Sequence, residues 1–452
     1  MISSAKMTLP SAPVKWHTTF ADSSPIWTSE PAISDIVSVA SQALSPYLQN
    51  QDPSSISVTF FAEGTFNKLY EITILNHKHR FLLRVTLPVD PFLKTESEVA
   101  TLAFLRQKTS IPIPEVVAWC STSRNTIGYE WILVKKVEGV PIEQKWRAMP
   151  LDAKIRLSEK LAAYAIELRA LAFDKIGSLY FKNTDENSST QNSQQIKFMS
   201  DYLGKDVEVG KMVSSFFFVK RRLYIPSDRG PFSTSHQYLT AKINLQTAWI
   251  KSGVEIAESE NASDIDSDCD EELVEDAPEM LDVCQRALKL VSDFFPVTVS
   301  QNPGHSLFHH YLNFNNVIID PEAHEIVAII DWEMACVLPR WDAYYYPKLF
   351  AGIDPITEEE PPIPVDYNDE DDYTIVLRDR WDARILRRAF DSYIRGVSDS
   401  TDARAGIFVA EDSDESEDFE MERELDDAIW NLTDNWEGAR SQMRKLQAHH
   451  SS

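Results

Sequence analysis

The sequence predicts an α+β protein of two lobes, and three observations support this prediction. A chain of 452 residues is longer than a single hydrophobic core usually organises. Residues 56–85 alternate short β-branched and aromatic runs with turn residues, which is typical of strands joined by tight turns. Residues 158–173 and several later segments carry apolar residues at helical spacing instead. We therefore expect a strand-rich part followed by a helix-rich part.

Composition and charge exclude several classes of protein. The formal net charge is -26 and the isoelectric point is near 4.8, so the surface repels phosphate backbones and anionic lipids. Four scattered cysteines fit free thiols in a reducing compartment. The first 20 residues lack a signal-peptide core and contain no arginine, and no membrane-spanning apolar run occurs. We predict a cytoplasmic location, with neither nucleic acid nor membrane as a partner; Lys6, Lys15 and the nearby serines leave a mitochondrial presequence as the alternative.

The first elements in order are an arm, a helix and three strands. Residues 1–30 read as an irregular arm whose aromatic residues pack onto a neighbouring lobe, and residues 33–48 predict a helix. Strands are expected at 56–61, 69–75 and 81–85. Gly64 lies in the turn between the first two of these strands. One glycine there is typical of a plain hairpin as well as of a phosphate-binding loop.

A helix over residues 94–107 follows the third strand and carries Glu96 and Glu98 in its first half. Arg84 on the preceding strand could pair with a carboxylate of this helix and contact phosphate. The alternative is a surface ion pair that contributes about 0 to 1 kcal/mol. Strands are expected next at 116–120 and 131–137.

Helical spacing over residues 158–173 predicts a long, largely buried helix. Phe216–Phe218 are assigned a packing role in an insertion at the lobe surface. Residues 255–279 form an acidic, serine-containing run that lacks the glycine of calcium-binding loops, and we predict disorder or a solvated helix there. The chain is expected to return to a helix over residues 280–294, after Pro278.

Residues 307–333 predict a β-hairpin that brings polar side chains together. Two apolar β-type runs, 316–319 and 326–330, flank a turn at Asp320-Pro321. The hairpin would hold Asn316 near Asp331, with Glu333 close behind. Amide and carboxylate oxygens are hard ligands of the kind that Mg²⁺ prefers.

Several of these stretches resemble the aminoglycoside phosphotransferase family of kinase-like enzymes, and especially its large fungal branch. The resemblance lies in order and spacing over most of residues 56–350. The stretches are FAEGTFNKLYEI (61–72), FLLRVTLPVDPFLKTESEVATLAFL (81–105), IPIPEVVAWCS (111–121), GYEWILVKKVEGVPI (128–142) and DRGPFSTS (228–235).

The resemblance implies a two-lobed protein-kinase-like fold with a small antiparallel-sheet lobe, a hinge near residues 138–141 and a larger helical lobe. It divides the chain into an N-terminal arm and helix (1–55), a small nucleotide-binding lobe (56–138) and a large helical lobe (139–450). The large lobe would contain the catalytic-loop hairpin at 307–333 and the acidic insert at 255–279.

The resemblance also implies ATP and Mg²⁺ as cofactors, with a nucleotide and a small-molecule acceptor as partners. Nucleotide-binding positions are then Gly64, Thr65, Arg84, Glu98, Lys135 and Val137. The metal ligands are then Asn316, Asp331 and Glu333. No oligomeric state follows from the sequence.

One departure from the family pattern affects the predicted activity. The family carries His-x-Asp-x-x-x-x-Asn, in which the aspartate is the base, and here the matching positions are His309, Tyr311 and Asn316. Phosphoryl transfer depends mainly on positioning and charge neutralisation, so transfer to a hydroxyl of a small molecule stays open with Tyr311 in place of the base. The alternatives are an inactive pseudokinase that binds nucleotide and an interaction scaffold.

Two other groups of residues have side chains of the kind found in binding sites. Trp341 and Tyr344–Tyr346 are expected to pack in the large lobe, or to form an aromatic cage for a cationic amine. His305, His309 and His310 do not predict a zinc site, because no further His or Cys lies at ligand spacing.

Overall fold

The computed structural model describes residues 14–18, 23–48, 55–182, 196–257, 271–295, 304–343, 347, 350, 359–364, 373–400, 415–432 and 435–450.

A six-stranded antiparallel sheet forms the first lobe. Its strands are β3 (Ile56–Glu63), β4 (Asn67–Ile74), β5 (Arg80–Thr86), β6 (Val116–Cys120), β7 (Glu130–Lys135) and β10 (Lys197–Phe198). They lie in the order β10, β6, β7, β5, β4, β3. The short edge strand β10 comes from further along the chain than the other five.

Successive side chains along the central strands point to opposite faces of this sheet, and both faces are buried. One face carries Phe81, Leu83 and Leu133 and packs against helix α1 (Ile33–Ala43) and the short α2 (Ser45–Leu48). The other face meets α3 (Leu93–Lys108), whose apolar side chains join the core that continues into the second lobe.

The N-terminal arm is more regular than the sequence predicts. Strands β1 (Lys15–Thr18) and β2 (Ser23–Ile26) pair as an antiparallel hairpin. Trp16 and Trp27 are partly buried on the fold, and the Trp27 ring lies 5.0 Å from the Tyr129 ring. The packing expected of these aromatic residues is therefore present, whereas Phe20 lies outside the described residues.

Helices dominate the second lobe. Helix α4 packs on α8, α6 packs on α7, and α9 packs on α10. The bounds are α4 (Leu151–Ala170), α5 (Ser215–Phe218), α6 (Ser235–Ala257), α7 (Glu271–Phe294), α8 (Tyr373–Ser400), α9 (Glu415–Trp430) and α10 (Trp436–His450). Short 3-10 helices lie at Ile142–Gln144, Met199–Asp201 and Lys220–Tyr224.

Three small sheets connect these helices to the first lobe. Strand β9 (Ser178–Phe181) pairs with β11 (Val207–Gly210), and β12 (His305–Phe308) pairs with β15 (Cys336–Pro339). The third sheet contains the predicted hairpin, with β13 (Val317–Ile319) between β14 (Ile326–Ile329) and β8 (Val140–Pro141).

Gly139 allows the segment between the lobes to lie directly on the hairpin. Its φ is +150°, and a Cβ at this position would lie 2.7 Å from the Ile319 carbonyl oxygen. Only glycine accepts both the backbone angle and the close approach. The segment that follows β7 therefore lies against strand β13, which begins directly after Asn316.

The acidic region departs from the prediction at its C-terminal end. Helix α7 begins at Glu271 and contains Pro278, whereas the sequence suggested a helix starting at Met280. Glu275 and Asp276 lie in the first turns, where the positive end of the helix dipole favours carboxylates. Ala277 and Met280 are buried, so packing outweighs the hydrogen bond lost at the proline. Residues 258–270 lie outside the described residues.

The predicted fold class is confirmed as a two-lobed α+β fold with a small antiparallel-sheet lobe and a larger helical lobe. Phe216–Phe218 are each 1% exposed, so none lies at the surface: Phe216 and Phe217 pack in the large lobe, and the Phe218 ring lies 6.0 Å from the Phe66 ring of the first lobe. Within the described part of the chain, no helix combines the length and apolar character needed to span a membrane.

Candidate functional site

A cavity of about 1160 Å³ lies between the first sheet and the 307–333 hairpin. Every predicted site residue except His309 lines it. These lining residues are Gly64, Thr65, Arg84, Glu98, Lys135, Val137, Tyr311, Asn316, Asp331 and Glu333. Residues separated by up to 269 positions in the chain therefore meet at one site.

The turn between β3 and β4 covers one side of the cavity. The Gly64 N–H donates to the Asn67 carbonyl at 2.8 Å, which closes the turn, and Thr65 occupies its tip. A Cβ placed on Gly64 would meet nothing within 4 Å. The turn therefore leaves open space for a ligand beside its backbone.

Arg84 and Glu98 form the ion pair that the sequence suggested. Arg84 projects from β5 and Glu98 from α3, and the Arg84 Nη2 donates to the Glu98 Oε2. Burial opposes the charge of Arg84, but Glu98 and Glu333 outweigh burial and raise its pKa. Because the Glu98 side chain is buried and that of Arg84 is only 15% exposed, this pair does not lie on the surface.

Glu333 lies at the centre of a second set of charged contacts. Its Oε2 accepts from Lys94 Nζ and from Asn67 Nδ2, the latter at 3.0 Å, and it lies 4.0 Å from Arg84 Nη1. Lys94 also donates to the Thr86 hydroxyl at 2.9 Å. The carboxylate predicted to bind metal is thus already bound by the chain's own donors.

Asn316 and Asp331 meet at the open end of the hairpin, as predicted. Ile330 N–H donates to the Asn316 carbonyl at 3.0 Å, which aligns the two segments. The Asn316 Nδ2 donates to the Tyr311 carbonyl at 2.7 Å and to the Asp331 Oδ2 at 3.2 Å. The amide nitrogen is therefore used inside the protein, and the side-chain oxygen of Asn316 is its remaining ligand atom.

Asp331 is held in an uncommon conformation and environment. Its φ is +65°, a left-handed value that is costly for a residue with a Cβ and that recurs at functional sites. Burial and the neighbouring charge of Glu333 raise the pKa of Asp331 to about 7, although Arg84 opposes them. Burial also acts to raise the pKa of Glu333, but Lys94 and Arg84 outweigh it and lower that pKa.

Tyr311, which the sequence analysis aligned with the family's base, lacks the properties of a base. Burial raises the pKa of its phenol, the hydrogen bond with Ser215 lowers it, and the charges of Glu333 and Asp331 raise it again. The net pKa lies above the usual value of about 10, so the phenol stays neutral near pH 7. Its ring packs in a cluster with Phe218, Leu223 and other apolar side chains.

His309 does not line the main cavity, and its catalytic role stays a prediction. Its Nδ1 accepts from the Tyr311 N–H at 3.1 Å, and its Nε2 lies 3.0 Å from the Ile330 carbonyl. Burial lowers the pKa of His309 to about 4, so the ring is neutral near pH 7. This side chain positions the Tyr311 segment against the Asp331 segment and lines a separate, smaller cavity.

Lys135 and Val137 line the cavity where β7 ends and the connection between the lobes begins. The Lys135 ammonium is paired with Glu115 at 2.7 Å. The Lys135 charge is therefore neutralised by a neighbour on the sheet. The backbone of residues 135–137 is the part of this segment most suited to contact the base of a nucleotide.

The structure adds residues that the sequence did not suggest. Lys94 and Asn67 hold Glu333, while a wall beyond Tyr311 is made by Ser215, Val219, Lys220, Arg222, Trp249 and Trp430. One signal was available, because Lys220-Arg221-Arg222 is a basic run in a strongly acidic chain. The contacts of Lys94 and Asn67 with Glu333 are separated by 239 and 266 positions and leave no local pattern.

Two further predictions concern the packing of Trp341 with Tyr344–Tyr346 and the absence of a zinc site. Trp341 is buried, as the packing prediction requires, and its Nε1 donates to Ser235 at 3.1 Å. Tyr344–Tyr346 lie outside the described residues. Among the residues that the structure describes, no group of three or more His, Cys, Asp or Glu side chains is arranged to hold a metal ion.

Residues 57–212 match the model of the phosphotransferase enzyme family. This confirms the resemblance predicted from the sequence, although the matched segment ends before the 307–333 hairpin.

Similar proteins are found among fungi. A subtelomeric hrmA-associated cluster protein of Aspergillus fumigatus is 27% identical over 68% of this chain and 63% of its own length. The chain therefore spans about 63% of the length of that curated relative. A protein of Debaryomyces hansenii named Altered inheritance of mitochondria protein 9, mitochondrial, is 27% identical over 49% of this chain and 37% of its own length.

A solved structure, Plasmodium vivax ethanolamine kinase, has a TM-score of 0.47 and 13% identity to this chain. It covers 94% of this chain and 89% of its own.

The predicted cytoplasmic location is wrong on this comparison. Relatives from several yeasts share the mitochondrial name of the Debaryomyces hansenii protein. The prediction depended on weak leader features within 20 residues, and composition over so short a stretch does not exclude import.

Proposed function

We propose that this protein binds MgATP in the main cavity and transfers phosphate slowly to a hydroxyl group of a small molecule. The observation that supports this most directly is the meeting of Asn316, Asp331, Arg84 and Glu98 around one cavity. Kinase-like phosphotransferases need these parts: oxygen ligands for magnesium and a paired cation near the phosphates.

The donor atoms fit magnesium with two protein ligands. The Asn316 side-chain oxygen and the Asp331 carboxylate are hard oxygens on adjoining segments, and Mg²⁺ commonly takes one or two carboxylates with water and phosphate oxygens. Bound magnesium would neutralise charge on the transferring phosphate. We exclude Glu333 from the ligand set, because Lys94, Asn67 and Arg84 already neutralise and orient it.

The remaining residues have separable roles in this proposal. The turn at Gly64-Thr65 contacts phosphate oxygens through the Thr65 backbone N–H, since the Gly64 N–H closes the turn, and Arg84, oriented by Glu98, supplies a fixed positive charge. The adenine base of ATP lies between apolar side chains of the sheet and the hairpin, with the backbone of residues 135–137 at the edge of its ring. The cavity side chains that would contact the base are Leu69, Leu82, Ile132, Val134, Ile318 and Ile330.

Transfer would break the bond between the γ-phosphorus and the bridging oxygen, whose electron pair leaves with ADP. The acceptor oxygen forms the new bond to phosphorus, and its proton passes to solvent. Tyr311 is neutral and cannot accept that proton near pH 7. General-base assistance contributes about 100- to 10,000-fold, so we expect turnover below that of an enzyme with aspartate at this position.

Thermal unfolding with MgATP tests the binding half of this proposal. We expect MgATP to raise the Tm of the wild-type protein, and we expect Asn316→Ala and Asp331→Ala to lose that increase. Millimolar ATP with EDTA gives the metal-free comparison. Absence of any Tm increase at millimolar MgATP would exclude a nucleotide site.

Lys251→Met is the matched control, since Lys251 is exposed on α6 and does not line the cavity. Its Tm should rise with MgATP as the wild type does. An equal rise in Asp331→Ala would exclude the metal arrangement proposed here while leaving nucleotide binding intact.

The partly buried, neutral Tyr311 also favours a second candidate, a pseudokinase that binds MgATP without transfer. ATP consumption with a panel of hydroxylated and amino metabolites separates the two. Turnover by the wild type excludes the pseudokinase, whereas turnover only in Tyr311→Asp supports it. The yeast relatives named as mitochondrial direct the search for an acceptor toward mitochondrial metabolites.

A further inference from the structure

Asn67 joins the turn at Gly64 to the hairpin on the other side of the main cavity. It is the first residue of β4, and its backbone carbonyl accepts the Gly64 N–H at 2.8 Å. Its side-chain Nδ2 donates to the Glu333 Oε2 at 3.0 Å. The backbone of this residue therefore closes the turn, while its side chain ties the turn to a segment 266 positions away.

Glu333 is a fixed acceptor for this hydrogen bond. Lys94 Nζ donates to the same Oε2 and also donates to the Thr86 hydroxyl at 2.9 Å. The Lys94 and Glu333 side chains are only 2% and 5% exposed, so neither has room to swing away. Glu333 follows the proposed metal ligand Asp331 by two residues. The bond from Asn67 therefore connects the turn directly to the segment that holds this ligand.

The Asn67 side chain contributes little net stability to the fold. The residue is 8% exposed, and among the described residues its Oδ1 has no hydrogen-bond partner. A hydrogen bond to a carboxylate stabilises the folded state, but a buried carbonyl oxygen without a partner destabilises it by a similar amount. The two effects nearly cancel, so stability does not explain a buried amide at this position. Placement of the turn does.

We propose that Asn67 is a positioning residue: its bond to Glu333 sets the position of the turn at Gly64 relative to the 307–333 hairpin. The Thr65 N–H, which contacts phosphate in the proposed function, is thereby held in register with Asp331. This role rests on the proposed nucleotide site. Small displacements of positioned groups weaken binding and transfer strongly, which is why a single hydrogen bond has a measurable effect.

Paired titrations of MgATP and adenosine test this role. Asn67→Leu removes the bond to Glu333 and keeps a side chain of similar shape. We expect it to bind MgATP about ten-fold more weakly than the wild type in titration calorimetry, with adenosine affinity changed less than about two-fold, because adenosine has no phosphate for the turn to contact. Its Tm without ligand should lie within about 3 °C of the wild type. Asn67→Ala gives the same comparison if Asn67→Leu fails to fold.

An exchange of the two groups tests the bond itself. Asn67→Asp brings two carboxylates together and should weaken MgATP at least as much as Asn67→Leu. The double variant Asn67→Asp/Glu333→Gln restores one amide and one carboxylate, and it should recover MgATP affinity to within about three-fold of the wild type. Gln285→Leu is the matched control, since Gln285 is exposed on α7 and does not line the cavity. It should bind both compounds as the wild type does.

Hydrogen exchange measures the turn without any nucleotide. The backbone amides of residues 63–67 should exchange faster in Asn67→Leu than in the wild type and at the wild-type rate in Gln285→Leu. Unchanged exchange in Asn67→Leu would overturn the positioning role. So would equal weakening of MgATP and adenosine, or a double variant no better than Asn67→Asp. If the wild type binds no MgATP but Asn67→Leu speeds exchange, the proposed function fails and the role of Asn67 in holding the turn stands.

Discussion

The two sides of the 307–333 hairpin differ in charge. The Asp331 side contains a buried set of ions in which Lys94, Arg84, Glu98 and Glu333 neutralise one another. The Tyr311 side is neutral, with a protonated phenol and an uncharged His309. The Asp331 side thus has the charges that the proposed MgATP site requires, whereas the Tyr311 side has no charged group that could accept a proton near pH 7. Under the proposed function, nucleotide binding and phosphate transfer therefore depend on different side chains.

The largest effect on stability is expected on the charged side. Lys94→Met leaves Glu333 without a principal partner in a site where both are nearly inaccessible, and Glu333→Leu does the same to Lys94. Each should lower the free energy of unfolding by about 3 to 5 kcal/mol in urea denaturation, because an unpaired charge stays buried. The double variant Lys94→Met/Glu333→Leu should recover much of that loss.

Arg156→Met is the matched control, since the Arg156–Asp152 pair is exposed. It should change the free energy of unfolding by less than about 1 kcal/mol. If Lys94→Met and Glu333→Leu each lower the free energy of unfolding by less than about 1 kcal/mol, the ions around Glu333 do not depend on one another for stability.

A smaller, pH-dependent effect is expected on the neutral side. The pKa of His309 is about 4 when folded and about 6.5 when unfolded, so the unfolded chain binds the extra proton between these values. The contribution of His309 to stability is therefore complete above pH 6.5 and is lost as the pH falls toward 4, a change of about 3 kcal/mol.

Urea denaturation from pH 4 to 7.5 measures this dependence. His309→Leu should be about 2 kcal/mol less stable at pH 7.5, because Tyr311 N–H and the Ile330 carbonyl lose a partner, and should lose less stability on acidification. The exposed His79→Gln serves as the control and should follow the wild type. An unchanged acid dependence in His309→Leu would contradict a buried neutral imidazole.

Local pattern predicted much of this architecture. The strands around Gly64, helix α3, the hairpin and the Arg84–Glu98 pair follow from periodicity, turn residues and the family resemblance. Contacts that depend on long-range packing could not be predicted in this way. Lys94 contacts Glu333 across 239 positions, and Trp430 on α9 lines the cavity. His309 matched a motif position, but only its burial and two hydrogen bonds identify it as a positioning residue. Helix α7 begins before Pro278 because the burial of its side chains outweighs the helix-breaking effect of the proline.

The most direct test of the separation between binding and transfer is a comparison of Tyr311→Asp with the wild type and Tyr311→Phe. For each protein, MgATP affinity is measured by titration calorimetry and ATP hydrolysis by phosphate release. We predict similar MgATP affinities in all three, with hydrolysis about 100-fold or more faster in Tyr311→Asp alone, because only aspartate supplies a base. Hydrolysis that is fastest in the wild type and falls in both variants would contradict this account, since Tyr311 itself would then take part in the chemistry.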